Sequence, residues 1–233
     1  MRLAILSDIH SNLEALTAVF ADIDSRGADR IMCLGDVVGY GADPSDCLAL
    51  LRNRSVGILM GNHEEAVFAQ EKRREFSRAA AIASAWTAEK MSPAELRELR
   101  SFPYRVSYND ILFVHATPRN PERWDYLFSR LEARTQGNAF TERICFIGHS
   151  HQAAIFPLDP GVDAYNPDSR FIINPGSVGQ PRDGDWRASY GLLDTVASTY
   201  DNLRIEYDVK AAMRKILDAG LPRRLAERLL DGQ

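Results

Sequence analysis

Five apolar runs of this 233-residue chain each end directly in a small polar cluster, and all five histidines lie in these clusters. In open α/β sheets, functional sites form where loops leave the carboxyl ends of strands. A chain with this pattern is therefore expected to fold so that several strand ends converge. The clusters are Asp8-Ile9-His10, Gly35-Asp36, Gly61-Asn62-His63-Glu64, His115-Ala116 and Gly148-His149-Ser150-His151.

Helical and extended patterns alternate in the first third of the chain. Residues 3–6, 31–34 and 56–60 are predicted strands, and apolar residues at helical spacing over 13–23 and 47–51 predict the helices between them. This order favours a sheet of parallel strands that helices cover on both faces.

The pattern changes after residue 63. Residues 64–100 are rich in Ala, Glu, Arg and Leu and predict two or three helices, and amphipathic helices are predicted over 211–217 and 221–230. No Pro/Gly/Ser-rich linker interrupts the chain, so we expect a single domain over 1–233 with a small helical cap inserted at about 64–101. Seven shorter runs predict a second, largely antiparallel sheet: 104–108, 111–114, 144–147, 154–156, 171–173, 190–193 and 203–209.

The composition excludes several classes of protein. Apolar residues make up 45% of the chain, and 28 basic against 32 acidic side chains give a net charge of 28 − 32 = −4. No run approaches the roughly 20 apolar residues of a membrane helix, and the apolar start breaks at Ser7-Asp8 without a secretion cleavage motif. Three scattered cysteines agree with a reducing compartment. We therefore expect a cytoplasmic protein that does not associate with membranes.

The spacing inside the clusters indicates a metal site. Residues two apart on extended backbone point to the same side, so Asp8 with His10, and His149 with His151, are expected to face one point. Two carboxylates, one amide oxygen and four or five imidazoles suit Mn, Fe, Zn, Ni or Co rather than an all-oxygen Ca or Mg site. Seven ligands are too many for one tetrahedral zinc but are enough for two metals if one carboxylate bridges them.

Each cluster also has an ordinary interpretation when it is taken alone. Gly35-Asp36 and Gly61-Asn62 are common turn sequences. Asp8 could instead cap the helix that begins near Asn12. The coincidence of all five histidines with the ends of predicted strands favours the metal site.

The motifs Asp-x-His, Gly-Asp-x-x-Gly, Gly-Asn-His-Glu, Val-His-Ala and Gly-His-Ser-His, in this order, resemble the five signature blocks of the calcineurin-like metallophosphoesterases. Residues 115–119, 174–182 and 187–194 resemble the small prokaryotic phosphodiesterase branch of that superfamily. The resemblance thus covers nearly the whole chain. It implies an α/β fold, a four-layer α/β/β/α sandwich of two packed mixed sheets.

The resemblance also implies ligands for two divalent metal ions, with manganese as the first candidate. Asp36 would bridge the ions. His63 would bind no metal and would face the phosphoryl oxygens of the substrate. The first ion would be held by Asp8, His10, Asp36 and His151, and the second by Asp36, Asn62, His115 and His149.

The implied reaction is hydrolysis of a phosphoester. Two divalent ions, less the charges of Asp8, Asp36 and a bridging hydroxide, leave the site positive by about one unit and therefore attractive to phosphate. The hydroxide would attack phosphorus in line, and His63 would donate a proton to the leaving oxygen. Asp36 and His63 are thus the expected catalytic residues.

Arginine positions narrow the expected substrate. Protein phosphatases and dinucleoside tetraphosphatases carry a phosphate-clamping Arg shortly after the second-block Asp, and residues 35–41 contain none. Arg119 and Arg182 are candidates to replace this phosphate-clamping arginine. At either position, an arginine on a solvated loop is an equally good interpretation. With Asn62 and His63 they complete the expected substrate contacts. We predict a phosphodiester or phosphomonoester of a small molecule or nucleotide.

Two other functions stay open at this level. A nuclease of the same superfamily would need a broad basic groove, which the net charge of −4 disfavours. A non-catalytic scaffold with this fold would be expected to lose metal-binding residues, whereas every expected position is filled here.

Overall fold

Two five-stranded sheets form the centre of the molecule in the computed structural model, which describes residues 1–233. Ten strands supply them: β1 (Arg2–Leu6), β2 (Arg30–Cys33), β3 (Gly57–Ile58), β4 (Arg105–Tyr108), β5 (Ile111–Val114), β6 (Ile144–Phe146), β7 (Ala153–Pro157), β8 (Phe171–Pro175), β9 (Ala188–Asp194) and β10 (Thr199–Ile205). The first sheet has the order β10-β9-β1-β2-β3 and the second has the order β4-β5-β6-β8-β7. The predicted α/β fold with two packed mixed sheets is confirmed.

The first sheet is parallel in one half and antiparallel in the other. β1, β2 and β3 run parallel as predicted, whereas β9 and β10 add antiparallel strands beside β1. The prediction that residues 190–193 and 203–209 belong to the second sheet is therefore wrong. Residues 3–6 of β1 are buried throughout, and a buried strand needs a hydrogen-bonded neighbour on each edge. β2 lies along one edge of β1, and β9 lies along the other.

The second sheet is mixed rather than largely antiparallel. β5, β6 and β8 are parallel neighbours, and only the outer strands β4 and β7 run antiparallel to them. The three inner strands are buried along their whole length, which is typical of parallel strands covered on both faces. Asn109 and Asp110 join β4 to β5 in a hairpin, and both residues are left-handed, as a tight two-residue turn requires.

Eight α-helices flank the sheets. They are α1 (Leu13–Arg26), α2 (Pro44–Asn53), α3 (Asn62–Phe68), α4 (Arg78–Lys90), α5 (Pro93–Arg100), α6 (Arg130–Gln136), α7 (Val209–Asp218) and α8 (Arg223–Asp231). The helix α6 is absent from the sequence prediction because it buries only Ala133 and so shows little apolar periodicity. No helix combines the length and the apolar character that crossing a bilayer requires.

Three apolar clusters separate the four layers. β1 alternates between two of them: Ala4 and Leu6 pack toward the helices of the first sheet, and Leu3 and Ile5 pack toward the second sheet. A third cluster lies on the other face of the second sheet, where α6 contributes Ala133. The order helix, sheet, sheet, helix therefore agrees with the expected sandwich.

The helices of the expected cap pack into the main core. α3, α4 and α5 contribute Val67, Ala83 and Leu99 to the same cluster that α1, α7 and α8 fill. The first of them begins at Asn62 rather than 64, which places Asn62 and His63 in its first turn.

Candidate metal centre

The loops that carry the expected ligands are tight turns rather than extended segments. Asp8, His10, Asp36, His149 and His151 all have φ between 49° and 65°. The reasoning from alternation on extended backbone is therefore wrong, although the side chains do converge. Left-handed backbone at a residue other than glycine costs roughly 1–2 kcal/mol, and such strain typically collects at functional sites, where the surrounding structure holds it.

Two groups of buried ligand atoms share the carboxylate of Asp36. Within each group the ligand atoms all lie within 4.8 Å of one another. The groups coincide with the two expected sets apart from Asn62, whose buried amide oxygen has no hydrogen-bond partner and which lines the same cavity as Asp36 and His149. One group is Asp8, His10, Asp36 and His151, and the other is Asp36, His115 and His149.

The two carboxylate oxygens of Asp8 have different surroundings: one is hydrogen-bonded to the backbone, and the other faces the ligand side chains. Its Oδ2 accepts a hydrogen bond of 3.1 Å from the backbone N–H of His149. Its Oδ1 has no hydrogen-bond partner and lies 3.2 Å from Nε2 of His151. Asp8 does not cap α1, because Asn12 accepts the hydrogen bond from the Ala15 N–H instead.

The two carboxylate oxygens of Asp36 also have different surroundings. Its Oδ1 accepts a hydrogen bond of 2.9 Å from the backbone N–H of His63. Its Oδ2 lies 3.4 Å from Nε2 of His115 and 3.6 Å from Nε2 of His10. One oxygen of Asp36 thus lies between imidazoles of both ligand groups, which is where a bridging ligand must lie.

Backbone carbonyls determine which nitrogen each imidazole presents to the centre. A carbonyl only accepts, so the ring nitrogen beside it carries the proton and the other nitrogen offers a lone pair. His149 therefore presents Nδ1, and the other three present Nε2. The contacts are His10 Nδ1 to Val38 O at 3.0 Å, His115 Nδ1 to Leu34 O at 3.1 Å, His151 Nδ1 to Gln180 O at 2.6 Å and His149 Nε2 to Trp124 O at 2.9 Å.

Buried acceptors without donors mark the middle of the centre. Asp8 Oδ1 and Asn62 Oδ1 have no hydrogen-bond partner. The Nε2 atoms of His10 and His151 lie 3.1 Å apart, and both carry lone pairs in the tautomers that the carbonyls favour. An unpaired buried acceptor costs about 1–3 kcal/mol. Cations coordinated by these oxygen and imidazole atoms would give each unpaired acceptor a partner and would separate the two facing lone pairs. The residues present therefore fit a two-metal site.

The charges at the centre favour a cation there. Burial raises the pKa of Asp8 to about 6 and lowers the pKa of His10 and His151 well below the usual range. His115 differs: burial lowers its pKa, but the carboxylates of Asp36 and Asp8 outweigh burial and raise it to about 9. The two carboxylates thus stabilise positive charge at this point, whether a proton or a metal supplies it.

His63 lies beside the ligands and belongs to neither group. Its ring is 3% exposed and packs between Tyr40 and Phe76, with ring centroids 4.5 and 4.7 Å away. Burial lowers its pKa to about 4, so the ring is neutral at pH 7 until an anion binds nearby. This is the position expected for a side chain that faces the substrate.

Glu64 is a site residue that the sequence reasoning left without a role. Its fully buried carboxylate accepts hydrogen bonds from the backbone N–H groups of Asp36 at 2.7 Å, Val38 at 3.1 Å and Gly61 at 2.9 Å. Glu64 therefore joins the Asp36 turn to the start of α3. The available signal was its position three residues after Gly61, where a Glu side chain can accept a hydrogen bond from the backbone N–H of the N-cap residue.

The segment around residues 174–182 supports the ligand turns from behind. Ser177 Oγ donates to the Asp8 carbonyl at 2.7 Å, and Asn174 Nδ2 donates to the Gly148 carbonyl at 2.7 Å. These contacts hold the backbone of two ligand turns in place. Of residues 174–182, Arg182 alone lines the cavity over the centre.

A cavity of about 900 Å³ opens over the centre. Asp36, Asn62, His63, His149 and His151 form its floor, and its walls come from α4, α8 and the segment around Trp124. Arg182 also lines the cavity, as the sequence suggested for a substrate contact.

Arg119 lies elsewhere. Its Nη2 donates to the Thr135 carbonyl at 2.9 Å, near the end of α6, and the residue does not line the cavity. The two arginines that were equivalent in the sequence are thus separated by the fold, and only Arg182 is placed to contact a substrate.

Comparison with known proteins finds relatives along the full chain. Residues 1–198 match the family model described as the calcineurin-like phosphoesterase superfamily domain. An uncharacterised protein of Methanocaldococcus jannaschii is 40% identical, across 99% of this chain and 98% of its own length.

Two solved structures are similar over the whole chain. A metallophosphoesterase from Sphaerobacter thermophilus has a TM-score of 0.87 at 36% identity, with 100% of both chains covered. A hypothetical protein from Pyrococcus horikoshii has a TM-score of 0.84 at 18% identity, with 100% of this chain and 98% of that chain covered, and at this identity it shows a shared fold alone.

Proposed function

The chain belongs to the calcineurin-like phosphoesterase superfamily, and we propose that it is a two-metal enzyme that hydrolyses a phosphodiester or phosphomonoester bond of a small molecule or nucleotide. The observation that carries this proposal is the Asp36 carboxylate, which two groups of buried ligand atoms share. A carboxylate in that position can bridge two cations, as two-metal hydrolases require.

The ligand sets assign each residue to an ion. Asp8, His10 and His151 would hold the first ion, His115, His149 and Asn62 would hold the second, and Asp36 would contact both. Manganese is the metal that we propose, with Fe, Zn, Ni or Co as alternatives that suit the same mixed oxygen and nitrogen ligands. When bound, two such ions lower the pKa of water and neutralise charge on a phosphoryl group.

His63 is the side chain that we assign to proton transfer. Its backbone N–H is fixed to Asp36 Oδ1, and its ring lies at the floor of the cavity without a hydrogen bond on Nδ1. Negative charge on a bound phosphate raises the pKa of an adjacent imidazole, which allows the ring to hold a proton for the leaving oxygen. Such proton donation typically contributes 10²- to 10⁴-fold to a rate.

The cavity favours a small substrate over a macromolecule. Its volume of about 900 Å³ lies within the range of small-molecule pockets. Tyr126 lines the cavity, is half exposed, and stacks on His149 with ring centroids 4.0 Å apart and on Phe128 with ring centroids 5.4 Å apart, so an exposed aromatic surface lies beside the centre where a planar group such as a base can pack. These features support a nucleotide or a similarly sized phosphoester.

The test combines metal analysis with parallel hydrolysis assays on a chromogenic phosphomonoester and a chromogenic phosphodiester. We expect about two equivalents of manganese per chain and hydrolysis of at least one substrate. The Asp36→Asn variant should lose metal and at least about 10³-fold in rate, because both ions lose a ligand. Asp168→Asn, which neutralises an exposed carboxylate remote from the centre, is the matched control and should retain both.

Other outcomes would identify other functions. Full activity in Asp36→Asn would remove the basis of the proposal, and activity confined to phosphoproteins would overturn the substrate class. Protein that binds no metal and hydrolyses nothing after manganese is added would instead be a scaffold. Duplex DNA binding that weakens steeply with salt would indicate a nuclease.

A further inference from the structure

Two guanidinium groups at the wall of the cavity have no Asp or Glu side chain as a partner. Arg182 and Arg228 both lie over the ring of Tyr40, with Cζ atoms 5.7 and 5.9 Å from the ring centroid. Arg182 donates to Gln180 Oε1 and to the Tyr40 hydroxyl, and Arg228 Nε donates to the backbone oxygen of Gln233. None of these acceptors is an Asp or Glu side chain.

The pair is partly withdrawn from water. Arg182 Nε is buried without a hydrogen-bond partner. Burial, and then the charge of Arg182, lowers the pKa of Arg228 to about 10, which still leaves it charged at neutral pH. Two like charges that share one aromatic ring repel each other, and an anion between them would remove both the repulsion and the unpaired donor.

The pair adjoins the metal centre. The backbone N–H of Arg182 donates to the carbonyl of His151 at 3.1 Å. The Tyr40 ring that carries both guanidinium groups packs against His10 and His63, with ring centroids 4.6 and 4.5 Å away. A group bound by the arginines would therefore lie one aromatic ring away from a phosphate on the metals.

The rest of the cavity has the same sign of charge. Besides Asp36, Glu75 is its only acidic lining residue, whereas Arg78, Arg123 and Arg224 also line it. This basic surface occurs in a chain with a net charge of −4. Arg228 comes from α8, which lies beyond residues 1–198 that match the family model.

We propose that Arg182 and Arg228 bind a second phosphate of the substrate, so that the preferred substrates are small molecules with two phosphate groups. The proposal rests on the proposed function, because it concerns the same cavity. One phosphate would lie at the metal centre and the other between the two guanidinium groups, each of which can form paired N–H contacts to phosphate oxygens.

The experiment compares matched ligands with one and two phosphates. The pairs are AMP with adenosine 3′,5′-bisphosphate, and fructose 6-phosphate with fructose 1,6-bisphosphate, which distinguish a nucleotide from a sugar source. We compare kcat/KM on manganese-loaded protein, and the equilibrium Kd is measured by calorimetry in the manganese-loaded His63→Ala background, where slow turnover leaves the ligands intact. We expect the wild-type protein to prefer one of the bisphosphates by roughly tenfold or more, the effect of one charged hydrogen-bonded contact.

Variants locate the preference. Arg228→Met should reduce the ratio of bisphosphate to monophosphate affinity to about one, and Arg228→Lys should restore part of it. Arg223→Met is the matched control, because Arg223 lies on the same helix but pairs with Glu227 on the exposed face, and it should leave the ratio unchanged. Arg182→Met removes the partner guanidinium from a loop, so it tests the same contact without disturbing α8.

The outcomes separate this inference from the function on which it rests. Equal affinity of the wild-type protein for both members of each pair, or a preference that survives both Arg228→Met and Arg182→Met, overturns the inference even if monophosphates are hydrolysed. Arginine-dependent bisphosphate binding with no hydrolysis of any phosphoester supports the second phosphate site and contradicts the proposed function.

Discussion

Gly39 leaves no space for a side chain, and the side chain it would strike is His63. A Cβ at position 39 would lie 2.3 Å from His63 Nδ1, where φ of Gly39 is +88°. Gly184 has a similar φ of +83° but has no atom within 4 Å of the same added Cβ. Gly39→Ala and Gly184→Ala therefore share the backbone strain, and only Gly39→Ala displaces the histidine.

The expected magnitudes follow from these distances. The shared cost of left-handed alanine is about 1–2 kcal/mol in the free energy of unfolding. In Gly39→Ala the ring must also move by about 1 Å to reach an ordinary contact distance of 3.4 Å, and overpacking of this kind adds about 1–3 kcal/mol. A misplacement of about 1 Å in a reacting group typically costs about 10²-fold in rate.

Chemical denaturation and steady-state kinetics on manganese-loaded protein measure both effects. Gly39→Ala should lose about 10²-fold in kcat with its metal content unchanged, whereas Gly184→Ala should keep its kcat. Combining Gly39→Ala with His63→Ala should remove the clash, so that the added cost of Gly39→Ala falls to that of Gly184→Ala. A Gly39→Ala enzyme within about threefold of the control would refute the assigned position and role of His63.

Three further predictions follow from single features of the structure. His63→Ala should lose about 10²- to 10⁴-fold in kcat and keep both metals; elemental analysis that shows metal lost in parallel would make His63 a ligand. Manganese at 100 times its Kd should stabilise the wild-type protein by about 2.7 kcal/mol, and its melting temperature should rise accordingly, whereas Asp36→Ala should respond far less. Arg187 lowers the pKa of Asp185 to about 2 from an ordinary value of 3.8, so this carboxylate contributes stability above pH 3.8 that is lost as the pH falls toward 2. Thermal melts between pH 5 and 2 should therefore be less steep in pH for Asp185→Asn than for the wild-type protein.

The sequence predicted the location of the centre because one physical rule sufficed. Apolar runs that end in Asp, Asn and His mark strand ends, and parallel strands place those ends at one edge. The sequence could not assign β9 and β10 to a sheet, because periodicity shows which face of a strand is buried and not which strand lies beside it. It also predicted the wrong backbone at Asp8 and His10. Asp and His are enriched among left-handed residues, but only a minority of them adopt that conformation, so residue type alone did not favour it over extended backbone.

Residues that act through long-range contacts were the least predictable. Glu64 holds Asp36 across 28 positions of the chain, and Arg228 reaches the cavity from a helix that no motif connects to the centre. Arg119 and Arg182 lie beside similar motifs, yet only one faces the cavity. Tertiary packing, rather than local pattern, decides such placements.

Anomalous diffraction from crystals equilibrated with manganese tests the central claim most directly. We predict two peaks about 3.5–4 Å apart, one among Asp8, His10 and His151 and the other among Asn62, His115 and His149, with a carboxylate oxygen of Asp36 contacting both. A single peak, or two peaks of which Asp36 contacts only one, would contradict the two-metal centre.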